Sequence, residues 1–181
     1  RDQAEAENID VREGVDNTVM VFHNQLKHGV QVNRHYENVS KITCNPGELN
    51  QIYSNLLVNS VHAMQGTGVI DIIIRERSLD AVLDPKNVHD DKKLEALLSD
   101  KPVNRYVFIT LQDSGPGIPE TLQMKIFDPF FTTKPPGEGT GLGLGIIRNV
   151  VLKHKGLLAF SSQPGCTRFT IALPVLHEPL P

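Results

Sequence analysis

The most constraining feature of the sequence is the stretch from residue 113 to residue 145, which joins an acidic residue to two glycine-rich segments. It reads DSGPGIPETLQMKIFDPFFTTKPPGEGTGLGLG. Asp113 follows an alternating run from Arg105 to Gln112, which predicts a strand with the Asp113 carboxylate at its end. Gly115 and Gly117 allow the backbone to turn sharply and to approach a ligand without an intervening Cβ atom. The stretch therefore predicts a ligand pocket at the end of a strand.

The second glycine-rich segment is typical of a phosphate-binding helix start. Glycines at alternate positions from Gly137 to Gly145 lead directly into the apolar helical pattern IIRNVVLKH. The first N–H groups of a helix lack partners within the helix, and phosphates bind where such groups point outward. The segment is not a GxxxxGK[ST] loop, and it does not follow a strand of a parallel βαβ unit. On composition alone, a flexible turn is the alternative interpretation.

Composition restricts the class of protein. The 181 residues, 39% of them hydrophobic, predict one soluble globular domain, and the net charge of −3 disfavours nucleic-acid binding. No apolar run approaches the roughly 20 residues that span a bilayer, so no membrane contact is expected. Cys44 and Cys166 lie far apart without metal-ligand spacing, which favours a reduced, cytoplasmic setting. The scattered histidines form no HxH or HxxxH pair and predict no histidine metal site.

Periodicity predicts an α/β arrangement. Apolar residues recur at steps of three and four from Ile9 to Leu26, which predicts a helix that Gly29 ends. A later helix is predicted from Leu144 to Lys155. Strands are predicted at Val30–Tyr36, Lys41–Cys44, Val69–Arg77 and Arg105–Gln112, and in a hairpin of Leu157–Gln163 and Thr167–Pro174.

The expected domain spans residues 9–175. Residues 1–8 are expected to be the remnant of an upstream helix or linker, because the chain starts without a Met in a polar stretch. Residues 78–104 are charged and contain prolines, which predicts a surface insert with one short helix around residues 91–99. Residues 176–181 are expected to form a loose tail.

A long helix is predicted after Asn45, which can cap it, with Glu48 placed as in a capping box. Asn55, Asn59 and His62 share one face of this helix at spacings of four and three. A solvated polar face is one interpretation. However, amides are poor helix formers, and an amide oxygen is a suitable ligand for a Mg²⁺ ion held mainly by phosphates. A cation site on this face is the second interpretation.

The order of these motifs resembles one family. The Asn-bearing helix, DSGPGIP, FDPFFTTK, GEGTGLGLG and GCTRF resemble the N, G1, F, G2 and G3 boxes of the ATP-binding catalytic domain of sensor histidine kinases. These kinases are part of the GHKL group, with gyrase, Hsp90 and MutL. The resemblance covers residues 48–173 apart from the insert. It implies the Bergerat fold, a two-layer α/β sandwich with a mixed sheet packed against helices and ATP bound between the layers.

The resemblance implies a role for each motif residue. Asp113 would accept a hydrogen bond from the adenine amino group, and Thr167 would hold adenine through a water molecule. Asn59 would ligate Mg²⁺ between the phosphates, with Asn55 beside it, and both are the implied catalytic residues. The complete implied ATP-binding set is Asn55, Asn59, His62, Asp113, Gly115, Gly117, Ile118, Phe131, Lys134, Gly139, Thr140, Gly141, Leu142, Gly143, Leu144 and Thr167.

The segment between the two glycine-rich motifs resembles a short lid of the nitrogen-regulation type of sensor kinase. Phe127, Phe130 and Phe131 would anchor this lid, although core packing is the expected role of at least one of them. Lys134 and His62 would reach the phosphate chain, but the family varies at both positions. An exposed lid charge is the alternative for Lys134.

Within the family that the chain resembles, the residue at the position of Asn55 differs between ATPases and protein kinases. Relatives that hydrolyse ATP with water place a Glu one turn before the metal-binding Asn, as general base. Since an amide cannot accept a proton, a protein-histidine kinase is implied rather than an ATPase. Sensor kinases phosphorylate a histidine that is followed by an acidic residue and an apolar one on a dimerising helix, and none of the seven histidines lies in such a setting. The phosphoacceptor histidine is therefore expected on an upstream dimerisation domain. The resemblance implies a homodimeric parent protein that passes the phosphate to a response regulator. The alternative is a nucleotide-binding regulator or protein serine kinase of the GHKL group, similar to the anti-sigma relatives.

Overall fold

The computed structural model describes residues 6–78, 105–133 and 139–175. These ranges contain seven strands and five helices. In chain order they are β1 (Glu7–Ile9), α1 (Val11–Val21), α2 (His23–Leu26), β2 (Val30–Tyr36), β3 (Ile42–Cys44), α3 (Pro46–Ala63), β4 (Gly68–Ser78), β5 (Arg105–Asp113), α4 (Glu120–Gln123), α5 (Gly143–Lys153), β6 (Leu157–Gln163) and β7 (Cys166–Pro174).

Five strands form a mixed sheet in the order β2-β4-β5-β7-β6. The outer strand β2 is parallel to β4, whereas all other neighbours in this sheet are antiparallel. The register sets Asp113 on β5 opposite Thr167 on β7 and opposite Ile70 on β4. The mixed sheet packed against helices confirms the expected fold class, and the register brings two predicted site residues to one end of the sheet.

Alternate residues of the central strands form the core with α1, α3 and α5. Each inward-facing large side chain that is fully buried stabilises the fold by ~1.5–3 kcal/mol. The central strands contribute Ile70, Ile72, Ile74, Val107, Ile109, Leu111, Phe169, Ile171 and Leu173 to this cluster, and α3 contributes Leu49, Ile52, Tyr53, Leu56, Leu57 and Val61. Because α3 is anchored by its apolar face, its opposite face is free to border a site.

Local chemistry places the start of α3 where the sequence predicts it. The side-chain oxygen of Asn45 accepts a hydrogen bond from the backbone N–H of Glu48 at 3.1 Å, and Pro46 occupies the first turn. At the other end the N–H of Gly66 bonds to the carbonyl of Val61, and Gly66 has a φ of 77° that favours glycine. The helix is therefore closed at both ends.

The N-terminal region differs from the expectation. Residues 7 and 8 belong to β1, which pairs antiparallel with β3, and so are part of the folded unit rather than a linker. The first helix begins at Val11 because Asp10 caps it, accepting a hydrogen bond from the Arg12 N–H at 2.9 Å. The predicted helix to Leu26 is broken after Val21, and α2 is a separate short turn.

Several expectations lie outside the described residues. These are the insert beyond Ser78, the short helix around residues 91–99, the tail at 176–181 and Lys134 in the lid. The strands that flank the insert are neighbours, since Ser78 pairs with Arg105. Within the described ranges, no helix has both the length and the hydropathy needed to cross a membrane.

Candidate functional site

A cleft of about 1170 Å³ opens between α3, the end of β5, α4 and the start of α5. It brings together most of the residues that the sequence predicts for the site, although they lie up to 112 positions apart between Asn55 and Thr167. The predicted residues that line it are Asn55, Asn59, His62, Asp113, Gly117, Ile118, Phe131, Gly139, Thr140, Gly141, Gly143, Leu144 and Thr167.

Two predicted residues do not line the cleft, and a third cannot be placed because it lies outside the described residues. Gly115 lies behind the wall, where its N–H donates to Asp113 and its carbonyl accepts from Gly165. Leu142 precedes α5, and its carbonyl accepts from the N–H of Ile146. Lys134 lies outside the described residues. Gly115 therefore supports the site through Asp113 rather than through direct contact with the cleft.

Asp113 is the buried acidic residue of the cleft, with 4% of its surface exposed. Its Oδ1 atom accepts a hydrogen bond from the Gly115 N–H at 2.9 Å, and its Oδ2 atom accepts one from the Ser60 hydroxyl at 2.8 Å. Burial raises the pKa of the Asp113 carboxyl group, the two hydrogen bonds lower it, and the net result is a raised pKa. The two hydrogen bonds thus fix the direction of both carboxylate oxygens.

Ser60 is a buried cleft residue that the sequence analysis did not predict. It is 2% exposed, lines the cleft and follows Asn59 directly on α3. A signal was available: Ser60 lies four residues after Leu56 on the apolar face of the helix, and a buried hydroxyl requires a hydrogen-bond partner. The other lining residues, which were not among the predicted site residues, are Gln25, Val58, Val61, Ala63, Gln65, Gly66, Leu122, Ile126, Thr132, Thr133 and Phe169.

The wall beside Asp113 is tied to the β6–β7 hairpin. The Ser162 hydroxyl accepts a hydrogen bond from the Ile118 N–H at 2.8 Å and contacts the Thr167 hydroxyl at 2.8 Å. Gly117 has a φ of 82°, and a Cβ atom on it would lie 2.6 Å from the Gln163 carbonyl oxygen. Only glycine fits this close approach of the two backbones. Ser162, which the sequence reasoning also missed, holds Thr167 in place.

The polar face of α3 also borders the cleft. Asn55, Asn59 and His62 all line it, so this face is not simply a solvated surface. The Asn55 amide donates to the Gly143 carbonyl over a long distance of 3.5 Å. In the part of the chain that the structure describes, the Asn59 side chain forms no hydrogen bond. Its amide oxygen is therefore available to a ligand.

The glycines before α5 differ in what they require. Gly141 has a φ of 65°, and a Cβ atom on it would overlap the backbone carbonyl of Phe130. Its carbonyl accepts a hydrogen bond from the Phe130 N–H at 3.0 Å, which joins the two motifs. At Gly143 a Cβ atom would meet nothing closer than the Asn55 side chain at 3.7 Å. Gly141 is thus required by backbone geometry, whereas Gly143 is not.

The three phenylalanines of the F motif have different environments. Phe127 is 4% exposed and packs edge-on against Phe160 and Phe169, at centroid distances of 6.2 and 6.4 Å. This confirms that one of the three is a core residue. Phe131 lines the cleft, and Phe130 is exposed with a φ of 66°.

Charged residues outside the cleft join the two helices that border it. Glu48 at the start of α3 bonds to the Lys153 amine at 2.5 Å and to the His154 ring at 2.9 Å, at the end of α5. Burial raises the pKa of Glu48, the bonds to Lys153 and His154 lower it, and the net pKa is lowered. This contact keeps the helices in register beside Asn55 and Gly143.

The donor set of the cleft decides which metal it suits. The described residues contain no group of three or more His, Cys, Asp or Glu side chains that could hold a metal ion. The Asn59 amide oxygen is a hard, neutral donor. Such a site suits Mg²⁺, which binds through few protein groups together with phosphates and water. The residues present therefore fit a Mg²⁺ ion that arrives with a phosphate ligand.

The fold and the cleft define a two-layer α/β ligand-binding domain with its site between one sheet end and two helices. Residues 44–177 match the model of the Histidine kinase-, DNA gyrase B-, and HSP90-like ATPase family, and the chain belongs to this family. Domains of this family bind ATP. The match includes every cleft residue discussed above that the sequence predicts.

Curated relatives narrow the type of domain. Sensor kinase CckA of Brucella abortus (strain 2308) is 38% identical over 133 residues, which cover 73% of this chain and 13% of that protein. Sensory histidine kinase/phosphatase NtrB of Azospirillum brasilense is 31% identical over 147 residues, covering 81% of this chain and 34% of that protein. The chain thus spans 13% to 34% of these relatives. It is a catalytic domain of the sensor histidine kinase type.

Solved structures agree with the fold. The catalytic domain of histidine kinase ThkA superposes with a TM-score of 0.71 at 24% identity, covering 94% of this chain and 97% of that domain. ThkA has also been solved in complex with response regulator protein TrrA, where the TM-score is 0.65 at 20% identity, covering 94% of this chain and 42% of the ThkA chain. At these identities the likeness establishes the fold alone.

Proposed function

We propose that this domain binds ATP with Mg²⁺ in the cleft and positions the γ-phosphoryl group for transfer to a histidine on a separate dimerisation domain. The observation that carries the proposal is that one cleft holds both a buried carboxylate, Asp113, and an amide, Asn59, that has no hydrogen bond among the described residues. These two groups match the two ends of a nucleotide, a base with an exocyclic amine and a phosphate chain with its cation.

Asp113 is the group that would select the base. Its two oxygens already accept one hydrogen bond each, from Ser60 and Gly115, and each oxygen has a lone pair left. The amino group of adenine can donate to such a lone pair. Guanine carries a carbonyl oxygen at the same position, so its approach would set two acceptors against each other. Thr167, opposite Asp113 in the register, supports the same end of the base.

Asn59 and Asn55 are the groups that would hold the phosphate chain and its cation. Mg²⁺, when bound, neutralises the charge of the phosphates. Asn59 lines the cleft, and the Asn55 amide lies one turn earlier, beside the start of α5. The first N–H groups of α5, from Gly143 and Leu144, add a helix N-terminus that favours anions. His62 extends the polar face, and Phe131, Gly139, Thr140 and Gly141 line the approach.

The cleft favours transfer to a protein side chain over hydrolysis. Among the described residues that line it, Asp113 is the one carboxylate, and it lies at the base end. Asn55 occupies the position one turn before Asn59, and an amide cannot take a proton from water. In the proposed reaction the bond from the γ-phosphorus to the β-phosphate oxygen breaks, a bond from phosphorus to an imidazole nitrogen forms, and ADP leaves. The domain contributes position and charge.

The proposed partners follow from the missing acceptor. Sensor kinases phosphorylate a histidine followed by an acidic residue and then an apolar one. His89 and His177 are the histidines of the sequence that precede an acidic residue, but His89 is followed by Asp90-Asp91, and His177 by Glu178-Pro179, where proline disfavours the helix that carries such an acceptor. We assign the acceptor to an upstream dimerisation domain of a homodimeric parent, and the final recipient to a response regulator. The relatives are named sensor kinases, and ThkA has been solved with a response regulator.

The proposed location is the reducing cytoplasm. Cys44 and Cys166, both within the described ranges, are free thiols rather than a disulfide. Burial raises the pKa of the Cys44 thiol to about 12, so it is held in the unreactive protonated form. ATP is also available in that compartment. Fractionation of cells that express the parent protein would check the assignment, which a periplasmic catalytic domain would contradict.

Labelled ATP tests the proposal directly. Incubation of the chain with γ-labelled ATP and Mg²⁺ should leave the chain itself unlabelled, whereas addition of the acceptor-bearing dimerisation domain of the parent should give an acid-labile label on that domain. Asn59→Ala should reduce the label on the order of 100-fold, and Asn50→Ala, on the exposed face of the same helix, should preserve it. Robust phosphohistidine on the chain alone would contradict the proposal. An acid-stable label on a serine would favour the alternative, a protein serine kinase of the same group.

A further inference from the structure

The hydrogen-bond pattern around Asp113 contains a residue with no role in the proposed reaction. Ser60 is 2% exposed and donates its hydroxyl hydrogen to Asp113 Oδ2 at 2.8 Å. The Gly115 N–H occupies the other oxygen, Oδ1, at 2.9 Å. The backbone donor is fixed by the turn, whereas the hydroxyl donor depends on one side chain. Ser60 is therefore the adjustable contact of the buried carboxylate.

Among the described residues, these donors rather than a cation stabilise the charge of Asp113. On the neighbouring strands, Asp71 and Arg168 are paired in register with Gln112 and so lie on the opposite face of the sheet from Asp113. Asp71 bonds there to Asn33 and His35, and Arg168 bonds to Gln112. On α3, His62 is the other titratable group that lines the described cleft.

We infer that Ser60 is a specificity-determining positioning residue, whose hydroxyl keeps Asp113 in the form that accepts hydrogen bonds and thereby selects adenine over guanine. The inference rests on the proposed function of the cleft as an ATP site. Ser60 acts through Asp113, although it also borders the cleft. Ser60 follows Asn59, the proposed metal ligand, directly in the sequence, but its proposed role concerns the base rather than the phosphates.

The physical basis is the change in hydrogen-bonding character when a carboxylate takes up a proton. An ionised Asp113 presents acceptors only, which match the amino group of adenine. A protonated Asp113 presents an O–H donor as well, which matches the carbonyl oxygen of guanine. Burial favours the protonated form, and each hydrogen bond to the carboxylate opposes it. Loss of the Ser60 donor therefore moves Asp113 toward the form that accepts guanine.

The test compares Ser60→Ala with a matched control, Ser54→Ala, which makes the same change on the same helix away from Asp113. Calorimetry measures ATP and GTP affinities with Mg²⁺ from about pH 5.5 to about pH 8.5. In Ser60→Ala the preference for ATP over GTP should fall about tenfold near pH 6, as expected for one lost hydrogen bond to a charged group. The pH midpoint of ATP binding should rise. His62 is unchanged in every variant, so it does not distinguish them.

A second measurement reads Asp113 without any nucleotide. Carbon NMR titration of the Asp113 side-chain carboxyl should give a higher midpoint in Ser60→Ala than in the parent protein and in Ser54→Ala. Ser60→Cys retains a similar volume and a weaker donor, so its midpoint should lie between those of Ser60→Ala and the parent. This variant provides the same comparison if Ser60→Ala does not fold.

The outcomes separate this inference from the proposed function. An equal loss of ATP and GTP affinity at every pH, with an unchanged Asp113 midpoint, would show that Ser60 only packs and would overturn the inference. An unchanged purine preference in Ser60→Ala would overturn it as well. Failure of the unmutated domain to bind ATP with Mg²⁺ would instead overturn the proposed function, on which the inference depends.

Discussion

The two ends of the cleft differ in how many of their polar groups have protein partners. At the Asp113 end, Asp113 and Thr167 are buried, and their side chains are hydrogen-bonded to Ser60 and Ser162 at 2.8 Å. At the opposite end, the Asn59 side chain has no hydrogen bond among the described residues. There the Asn55 amide reaches the Gly143 carbonyl only at 3.5 Å. The Asp113 end, which we propose binds the base, is thus held by contacts within the protein, whereas the Asn59 end, proposed for the phosphates, has fewer such contacts among the described residues.

This difference shows where the binding free energy has to come from. A pocket whose side chains are already ordered binds a base without the entropy cost of ordering them. It carries a cost, because the buried carboxylate of Asp113 is desolvated and no cation lies beside it among the described residues. The phosphate end carries no such cost, but its groups must be ordered by the phosphates and their cation. Substitutions at the two ends should therefore have different consequences.

The largest effect is expected from Asn59→Ala at the phosphate end. Removal of the amide oxygen should eliminate the gain in ATP affinity that Mg²⁺ provides, and phosphotransfer should fall on the order of 100-fold. Adenosine binding should be nearly unchanged, because the Asp113 end is built independently. Calorimetry with and without Mg²⁺ measures this, with Asn50→Ala as the control on the same helix. An equal Mg²⁺ dependence in the variant and the parent would remove Asn59 from the metal site.

A smaller effect is expected from Gly141→Ala, compared with Gly143→Ala. Gly141 has a φ of 65° and its Cβ atom would overlap the Phe130 carbonyl, so alanine should lower the free energy of unfolding by about 1–3 kcal/mol. Gly141→Ala should also weaken the binding of ATP more than the binding of adenosine. At Gly143, at the start of α5, alanine has room and favours the helix, so stability should change by less than about 1 kcal/mol. Denaturant unfolding distinguishes the two, and similar destabilisation by both would refute this geometry.

Asp113→Asn should have the smallest of the three effects on ATP binding, a loss of at least ~1.4 kcal/mol or about tenfold. Asp16→Asn, on α1 outside the cleft, should bind ATP as the parent does. Calorimetry provides the affinities. An unchanged affinity in Asp113→Asn would exclude this carboxylate from the site.

The same substitution should affect stability in the opposite sense. Because the pKa of Asp113 is raised above 3.8 in the folded state, the stabilisation it provides is present below that unfolded value and is lost as pH rises through the folded pKa. In the nucleotide-free Asp113→Asn variant, the neutral amide avoids this cost, and its oxygen can still accept a hydrogen bond from the Gly115 N–H or the Ser60 hydroxyl. The thermal stability of the variant should match or exceed that of the parent at about pH 7.5, and the difference should shrink toward about pH 4. A variant that is less stable at the higher pH would contradict this sign.

Sequence patterns predicted the parts of the site that local chemistry determines. The cap at Asn45 fixes the start of α3, and helical spacing then puts Asn55 and Asn59 on one face. The alternating strand that ends at Asp113 gives that carboxylate its position. These features depend on residues a few positions apart, so periodicity and capping were sufficient to predict them.

The remaining features depend on which distant segments meet. The bond from Ser60 to Asp113 joins positions 53 residues apart, and the contact of Gly141 with Phe130 depends on the path of the backbone between them. The pairing of residues 7–9 with β3 was missed because a three-residue polar strand has no clear period. Motif glycines look alike in the sequence, and only their neighbours in space separate Gly141 from Gly143.

Hydrogen exchange at the two ends of the cleft tests the account most directly. The amides of Gly115 and Ile118 are bonded to Asp113 and Ser162, so they should be protected before any ligand is added. The amides of residues 139–144 should gain roughly tenfold or greater protection with ATP and Mg²⁺, and little with adenosine. Equal gains at both ends, or full protection of residues 139–144 by adenosine alone, would contradict the division into a prebuilt base end and a ligand-ordered phosphate end.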